Sequence, residues 1–60
     1  MNTYEANIYF VGSRAAYVLY PSASTKEDAE KMAREIITKY EPSLTIKKII
    51  VKKINKEVVG

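Results

Sequence analysis

One amphipathic helix in the middle of the chain is the feature that most constrains the fold. Ser24 and Glu27 match a capping box at its start, and Pro42 disfavours helical geometry at Glu41 and ends it. The predicted helix covers about residues 25–40 and carries these apolar residues at helical spacing on one face: Ala29, Met32, Ala33, Ile36, Ile37 and Tyr40. Its opposite face carries oppositely charged pairs four residues apart: Glu27–Lys31, Glu30–Arg34 and Glu35–Lys39. Because a single apolar stripe must be buried, the flanking segments have to supply a surface for it.

Three β-prone segments flank this helix, at about residues 3–11, 14–20 and 44–54. Gly12-Ser13 is typical of a two-residue hairpin, so the first two strands should be antiparallel. A right-handed crossover then places the third strand beside the first. The 60 residues are therefore predicted to form one α+β domain of the ββαβ type. Its three-stranded antiparallel sheet has the order 2-1-3, with the helix packed on one face.

The turn decides which side chains face the helix, because an odd loop would exchange the two faces of the second strand. Gly12-Ser13 favours an even loop, and the predicted core then combines the apolar helix stripe with Ala6, Ile8, Phe10, Ala15, Tyr17 and Leu19. The third strand leaves two alternatives. A regular strand separates Ile49 and Val51 from Leu44, Ile46, Ile50 and Ile54. A bulge near Lys47-Lys48 turns Leu44, Ile46, Ile49 and Val51 inward together.

The composition points away from catalysis, since cysteine and histidine are both absent. Their absence removes thiolate metal sites, the usual zinc ligand and the usual general base. The serines lie in turn or cap contexts, with no histidine to activate them. We therefore expect a protein that is not an enzyme and has no catalytic residue, cofactor or metal. The lack of cysteine and of a signal peptide predicts a cytoplasmic protein, and no run of about 20 apolar residues predicts membrane insertion.

One helix covers one side of a sheet, so the other side should be exposed. We call it the bare face. On the even-loop register its residues are Tyr9, Val11, Ala16, Val18 and Tyr20, with Ile50 and Ile54 as additions, beside Glu5, Asn7, Arg14, Lys48 and Lys52. A contiguous exposed apolar patch often marks a binding surface. Scattered surface hydrophobic residues, which are normal, are the alternative interpretation.

The excess positive charge lies in the last segment, where residues 42–60 hold five lysines against Glu57. Lys47, Lys48, Lys52 and Lys53 flank the apolar centre of the third strand. Such lysines could bind phosphate groups, with tyrosines stacking on bases. Adjacent lysines point to opposite faces of a strand, however. Protection of an edge strand against aggregation is therefore the favoured interpretation.

The helix motif and the final strand resemble a loose class of small phage-type proteins with a strand–strand–helix–strand layout. The matching residues are Ser24, Glu27, Asp28, Ala29, Glu30 and Ala33, followed by Ile49-Ile50-Val51-Lys52-Lys53-Ile54. Some small phage proteins bind and inhibit host or defence proteins, so the resemblance implies an accessory or inhibitor role.

Together these features predict a protein-binding module that acts through the bare face or a strand edge. Its partner-binding residues are expected to be Tyr9, Val11, Arg14, Val18, Tyr20, Lys48 and Lys52. A chain this short also has reason to form a homodimer, by packing bare faces together or by pairing second strands. The alternative function is nucleic-acid binding through the lysine-rich last strand.

Overall fold

The computed structural model describes residues 1–54. Its elements in chain order are β1 (Asn2–Phe10), β2 (Ala16–Leu19), β3 (Ser22–Ala23), α1 (Lys26–Tyr40) and β4 (Ile46–Ile54). Every pair of neighbouring strands is antiparallel, and β1 pairs with the other three. β2 and β3 lie end to end along one side of β1, while β4 follows its other side. The α+β class and the placement of the last strand beside the first confirm the prediction.

The predicted second strand, about residues 14–20, corresponds to β2, and a short strand that was not predicted, β3, follows Pro21. The backbone N–H of Tyr4 donates to the Pro21 carbonyl at 2.9 Å. Proline has no N–H with which to return the second bond of that pair. Pairing then resumes with Thr3 opposite Ser22, in the register that places Ala6 opposite Leu19. β2 therefore ends before Pro21, and the short strand β3 extends the same side of the sheet beyond it.

The hairpin turn differs from the predicted two-residue loop. The N–H of Ser13 donates to the Phe10 carbonyl at 3.3 Å, and Gly12 has a φ of 77°. Gly12 is therefore the third residue of a four-residue turn, a position that requires a positive φ in a type II turn. The last hairpin pair, Tyr9 opposite Ala16, encloses residues 10–15. Since this is an even number of residues, the predicted faces of the two strands are confirmed.

A β-bulge at Lys47 decides the register of β4. Tyr9 lies opposite Lys48, whereas Phe10 lies opposite Ile46, so Lys47 is the extra residue. The bulge turns Ile46 to the same side as Ile49 and Val51, where all three pack on the core. This is the second of the two alternatives for the third strand. That alternative also turned Leu44 inward, which was wrong, because Leu44 precedes β4 and is 39% exposed.

The core lies between α1 and the inner face of the sheet. Its buried residues are Tyr4, Ala6, Ile8, Phe10, Ala23, Ala29, Ala33, Ile37 and Val51, with Leu19, Ile46 and Ile49 partly buried against them. The helix stripe that reaches the sheet is narrower than predicted, because Met32 and Tyr40 are exposed and Ile36 is half-buried. Ala15 and Tyr17, also predicted to be in the core, are exposed as well. Ala15 lies in the turn and Tyr17 at the sheet edge.

Both ends of the helix are capped, by a side chain at the N-terminus and by a backbone N–H at the C-terminus. Thr25, rather than Ser24, is the N-cap, and its Oγ1 accepts a hydrogen bond from the Asp28 N–H at 3.1 Å. At the other end the Glu41 N–H donates to the Ile37 carbonyl at 2.7 Å. Of the predicted ion pairs along the helix, Glu30–Arg34 forms, at 3.4 Å.

Candidate interaction surface

The strand register assembles the bare face from cross-strand rows that are centred on β1. Side chains alternate between the two faces along each strand, and α1 packs on the face that contains the core. The rows on the other face are Ala16–Tyr9–Lys48, Val18–Asn7–Ile50 and Ser22–Thr3–Ile54. Between the last two, Glu5 lies opposite Lys52, and Tyr20 follows β2 on the same side of β1 by alternation from Val18. Within residues 1–54, no helix or further strand lies over these rows.

The apolar part of the bare face lies in the two outer strands. Val18 is 43% exposed and Ile50 is 47% exposed, and they flank the half-buried Asn7 in one row. Tyr20 is 61% exposed and follows β2. With strands about 4.8 Å apart, Val18 and Ile50 stand roughly 10 Å from each other. The patch therefore consists of two apolar flanks on either side of a polar centre.

Lysines of β4 lean over the polar centre of this face. The Nζ of Lys52 lies 3.5 Å from Oε1 of Glu5, and the Nζ of Lys48 lies 5.2 Å from the centre of the Tyr9 ring. An exposed ion pair contributes about 0.2–1 kcal/mol, and an exposed cation–π contact contributes a similar amount. Both contacts are weak enough to be exchanged for contacts with a partner.

The lysines that flank the centre of β4 do not form one cluster. Lys48 and Lys52 lie on the bare face, opposite Tyr9 and Glu5. Lys53 lies opposite Tyr4 and so belongs to the helix side, while Lys47 occupies the bulge. The expected placement of adjacent lysines on opposite faces is therefore confirmed for Lys52 and Lys53, and β4 is an outer strand of the described sheet.

Two of the predicted site residues lie beyond the end of the sheet. Val11 follows β1, is 62% exposed and donates its N–H to the Thr45 carbonyl at 2.9 Å. Arg14 is exposed in the segment between β1 and β2. The sheet therefore brings Tyr9, Val18, Tyr20, Lys48 and Lys52 onto one face, and the turn presents the other two residues at its end.

No family model matches the chain, and the comparisons with curated proteins and with solved structures give no match. No helix within residues 1–54 is long and apolar enough to cross a membrane. In the same part of the chain, no three or more acidic, histidine or cysteine side chains form a group that could hold a metal ion. The surface must therefore be interpreted from its own chemistry.

Sequence reasoning missed one contact beside this surface, which joins β2 to the end of the helix. The Tyr17 hydroxyl donates to Oε2 of Glu41 at 2.9 Å, and the Tyr17 ring meets the Phe10 ring edge-on at 5.3 Å. The hydrogen bond and the negative charge of Glu41 raise the pKa of Tyr17. No sequence pattern pairs these residues, because they are 24 positions apart.

We expect the Glu41→Gln substitution to move the ionisation of Tyr17 to lower pH. The neutral phenol donates to the carboxylate, whereas the phenolate is repelled by it, so the raised pKa belongs to the folded state. The contact therefore stabilises the fold fully below about pH 10, the pKa of tyrosine in an unfolded chain. This stabilisation is lost as the pH rises through the raised pKa of Tyr17 in the folded chain. Alkaline titration of the phenolate absorbance measures the change. Glu35→Gln is the matched control, and identical titrations of Glu41→Gln and wild type would disprove the contact.

Proposed function

We propose that the chain is a non-enzymatic protein-binding module, a phage-type accessory or inhibitor protein whose partner docks on the bare face. The observation that carries this proposal is the exposure of Val18, Tyr20 and Ile50 on one side of the sheet, with no described element covering them. The absence of cysteine favours action in the cytoplasm.

The composition of the bare face supports a protein partner. Protein–protein interfaces combine apolar and aromatic side chains with polar groups, and tyrosine is enriched in them. Tyr9 and Tyr20 each offer a large apolar ring and a hydroxyl that can form a hydrogen bond. Glu5 and Asn7 in the centre give such a partner polar groups to recognise, and Lys52 and Lys48 add positive charge at the edge.

Self-association is part of the proposal. Below about 70–80 residues a single core seldom supplies more than about 3–5 kcal/mol, and oligomerisation is a common source of further stability. The core here includes four alanines among its buried residues: Ala6, Ala23, Ala29 and Ala33. Because alanines bury little apolar area, a homodimer would add burial that the single chain does not supply.

Affinity capture from a bacterial lysate, the host class that the resemblance implies, tests the proposed function. We expect Tyr9→Glu and Ile50→Glu each to lose the same captured protein, since each places a negative charge on the bare face. Met32→Glu is the matched control, because Met32 is 38% exposed on the helix and should retain the partner. If no captured protein depends on Tyr9 or Ile50, the proposal fails.

Nucleic-acid binding is the second candidate function, and one observation favours it. Lys48 and Lys52 lie on the same face as Tyr9 and Tyr20, the combination that single-strand binders use for phosphates and bases. The carboxylate of Glu5 beside Lys52 opposes a phosphate at that position. Titration with DNA and RNA at two salt concentrations discriminates the candidates. Salt-sensitive binding that Lys48→Glu with Lys52→Glu abolishes would favour nucleic acid.

A further inference from the structure

Two backbone hydrogen bonds show which amides of the sheet point outward. In antiparallel strands the N–H and C=O of one residue point to the same side, and successive residues alternate. The Tyr4 N–H bonds toward the β2 and β3 side, whereas the Val11 N–H bonds toward the β4 side. The backbone N–H and C=O groups of the even-numbered β1 residues therefore point toward β2, where Ile8 lies opposite Tyr17. Consequently Val18 points its N–H and C=O away from β1, where no strand within residues 1–54 meets them.

The outer edge of β2 has none of the protection that the outer edge of β4 has. Edge strands are commonly guarded against pairing by charged side chains, lysine above all. β4 carries Lys47, Lys48, Lys52 and Lys53, whereas residues 15–20 contain no charged residue. β2 therefore offers no charged side chain of its own to a second strand, and the Glu41 carboxylate beside it accepts the hydrogen bond of the Tyr17 hydroxyl.

Both faces of β2 present apolar side chains that remain partly exposed. On the helix side, Tyr17 is 39% exposed and Leu19 is half-buried, while α1 packs over β1, β3 and β4. On the bare face, Val18 and Tyr20 are 43% and 61% exposed. A strand added beside β2 would cover apolar surface on both faces at once.

We propose that this added strand is β2 of a second copy, paired antiparallel about a twofold axis with Val18 opposite Val18. This geometry rests on the homodimer proposed above. Ala16 then lies opposite Tyr20 of the second copy, so the smallest side chain on the edge faces the largest. Tyr17 lies opposite Leu19 of the second copy on the helix side, where both are partly exposed.

The other ways to form a dimer bring like charges together. Pairing two β4 edges would place lysines beside lysines. Packing two bare faces would bring together the Lys48 and Lys52 side chains of both copies, with Glu5 as the acidic residue of the paired rows. Pairing through β2 leaves both bare faces exposed and joins them into one continuous surface, so the dimer can still bind a partner.

Disulfide trapping tests the edge directly, because the chain has no cysteine of its own. Hydrogen-bonded antiparallel pairs have Cα atoms about 5.5 Å apart, which a disulfide can bridge. We expect Val18→Cys to form a covalent dimer at tens of micromolar under mild oxidation, whereas Ile50→Cys stays largely unlinked. Ile50 is the matched control, since it lies in the same cross-strand row with 47% exposure against 43% for Val18. Equal linkage of the two variants would indicate packed bare faces and overturn the proposal.

Sedimentation equilibrium with proline variants distinguishes two ways in which the proposal could fail. The dimer could form through a different edge, or the chain could form no dimer at all. Wild type should sediment at twice the chain mass of 6.8 kDa. Val18→Pro removes an outward N–H without removing a bond to β1, so it should sediment as a monomer. Lys53→Pro, which removes an outward N–H from the β4 edge, should remain a dimer. A monomeric wild type would overturn the homodimer itself, whereas a dimeric Val18→Pro would overturn the β2 edge alone.

Discussion

Replacing Ile37 with alanine is expected to leave the chain largely unfolded. The Ile37 side chain is 2% exposed at the centre of the contact between α1 and the sheet. Truncating a buried isoleucine to alanine typically costs about 2–5 kcal/mol, through lost burial and the cavity left behind. The expected loss is therefore as large as most or all of the unfolding free energy, about 3–5 kcal/mol, that one core of this size usually supplies. Urea denaturation followed by circular dichroism would measure the loss.

The adjacent Ile36 provides a matched control of the same residue type in the same helix. The sequence pattern predicts that both isoleucines contact the sheet, but the structure leaves Ile36 half-buried and outside the core. Ile36→Ala should therefore cost clearly less than Ile37→Ala. Equal losses for the two variants would show that the helix is rotated from the orientation described above.

The order of the elements was predictable because each one has a local signal. The helical spacing of Ala29, Ala33 and Ile37 and the alternation along β1 are properties of neighbouring residues. The crossover rule then leaves one arrangement for the last strand. The parity of the hairpin also followed from local turn residues, although the turn itself begins at Phe10 instead of Val11.

A local pattern can select the wrong one of two adjacent candidates, as the helix N-cap shows. Ser24 and Thr25 can each cap a helix, and each has an acidic residue three positions later, Glu27 or Asp28. The capping-box pattern has Glu or Gln three residues after the cap and therefore favoured Ser24. The structure selects Thr25, which bonds the Asp28 N–H.

The composition of the bare face was predicted, whereas its pairings were not. Alternation along the first two strands was enough to place Tyr9 and Val18 on the face opposite the helix. The contacts of Lys52 with Glu5 and of Lys48 with Tyr9 depend on which β4 residue lies opposite each β1 residue. Alternation could not determine that register, because neither parity of the last strand was wholly apolar: the bulge at Lys47 turns Ile46 to the side of Ile49 and Val51.

Replacing Val51 with asparagine is expected to unfold most molecules, because the register of β4 against β1 places this side chain in the core. Val51 is 5% exposed and lies opposite Ala6, which is fully buried. The substitution loses about 1.5–3 kcal/mol of apolar burial and buries an amide without a partner, which costs about 1–3 kcal/mol more. The combined loss, about 2.5–6 kcal/mol, is comparable to the whole stability of about 3–5 kcal/mol in a domain this small.

Ile50→Asn tests the same register from the neighbouring position. Ile50 lies on the bare face and is 47% exposed, so its asparagine would remain hydrated and should cost no more than about 1 kcal/mol. A β4 strand that turned Ile46 and Ile50 inward would reverse the two effects, because Val51 would then be the exposed residue. Urea midpoints of the two variants therefore determine which face of β4 the helix covers. A larger loss for Ile50→Asn than for Val51→Asn would contradict this register, and with it the positions of Lys48 and Lys52 on the bare face.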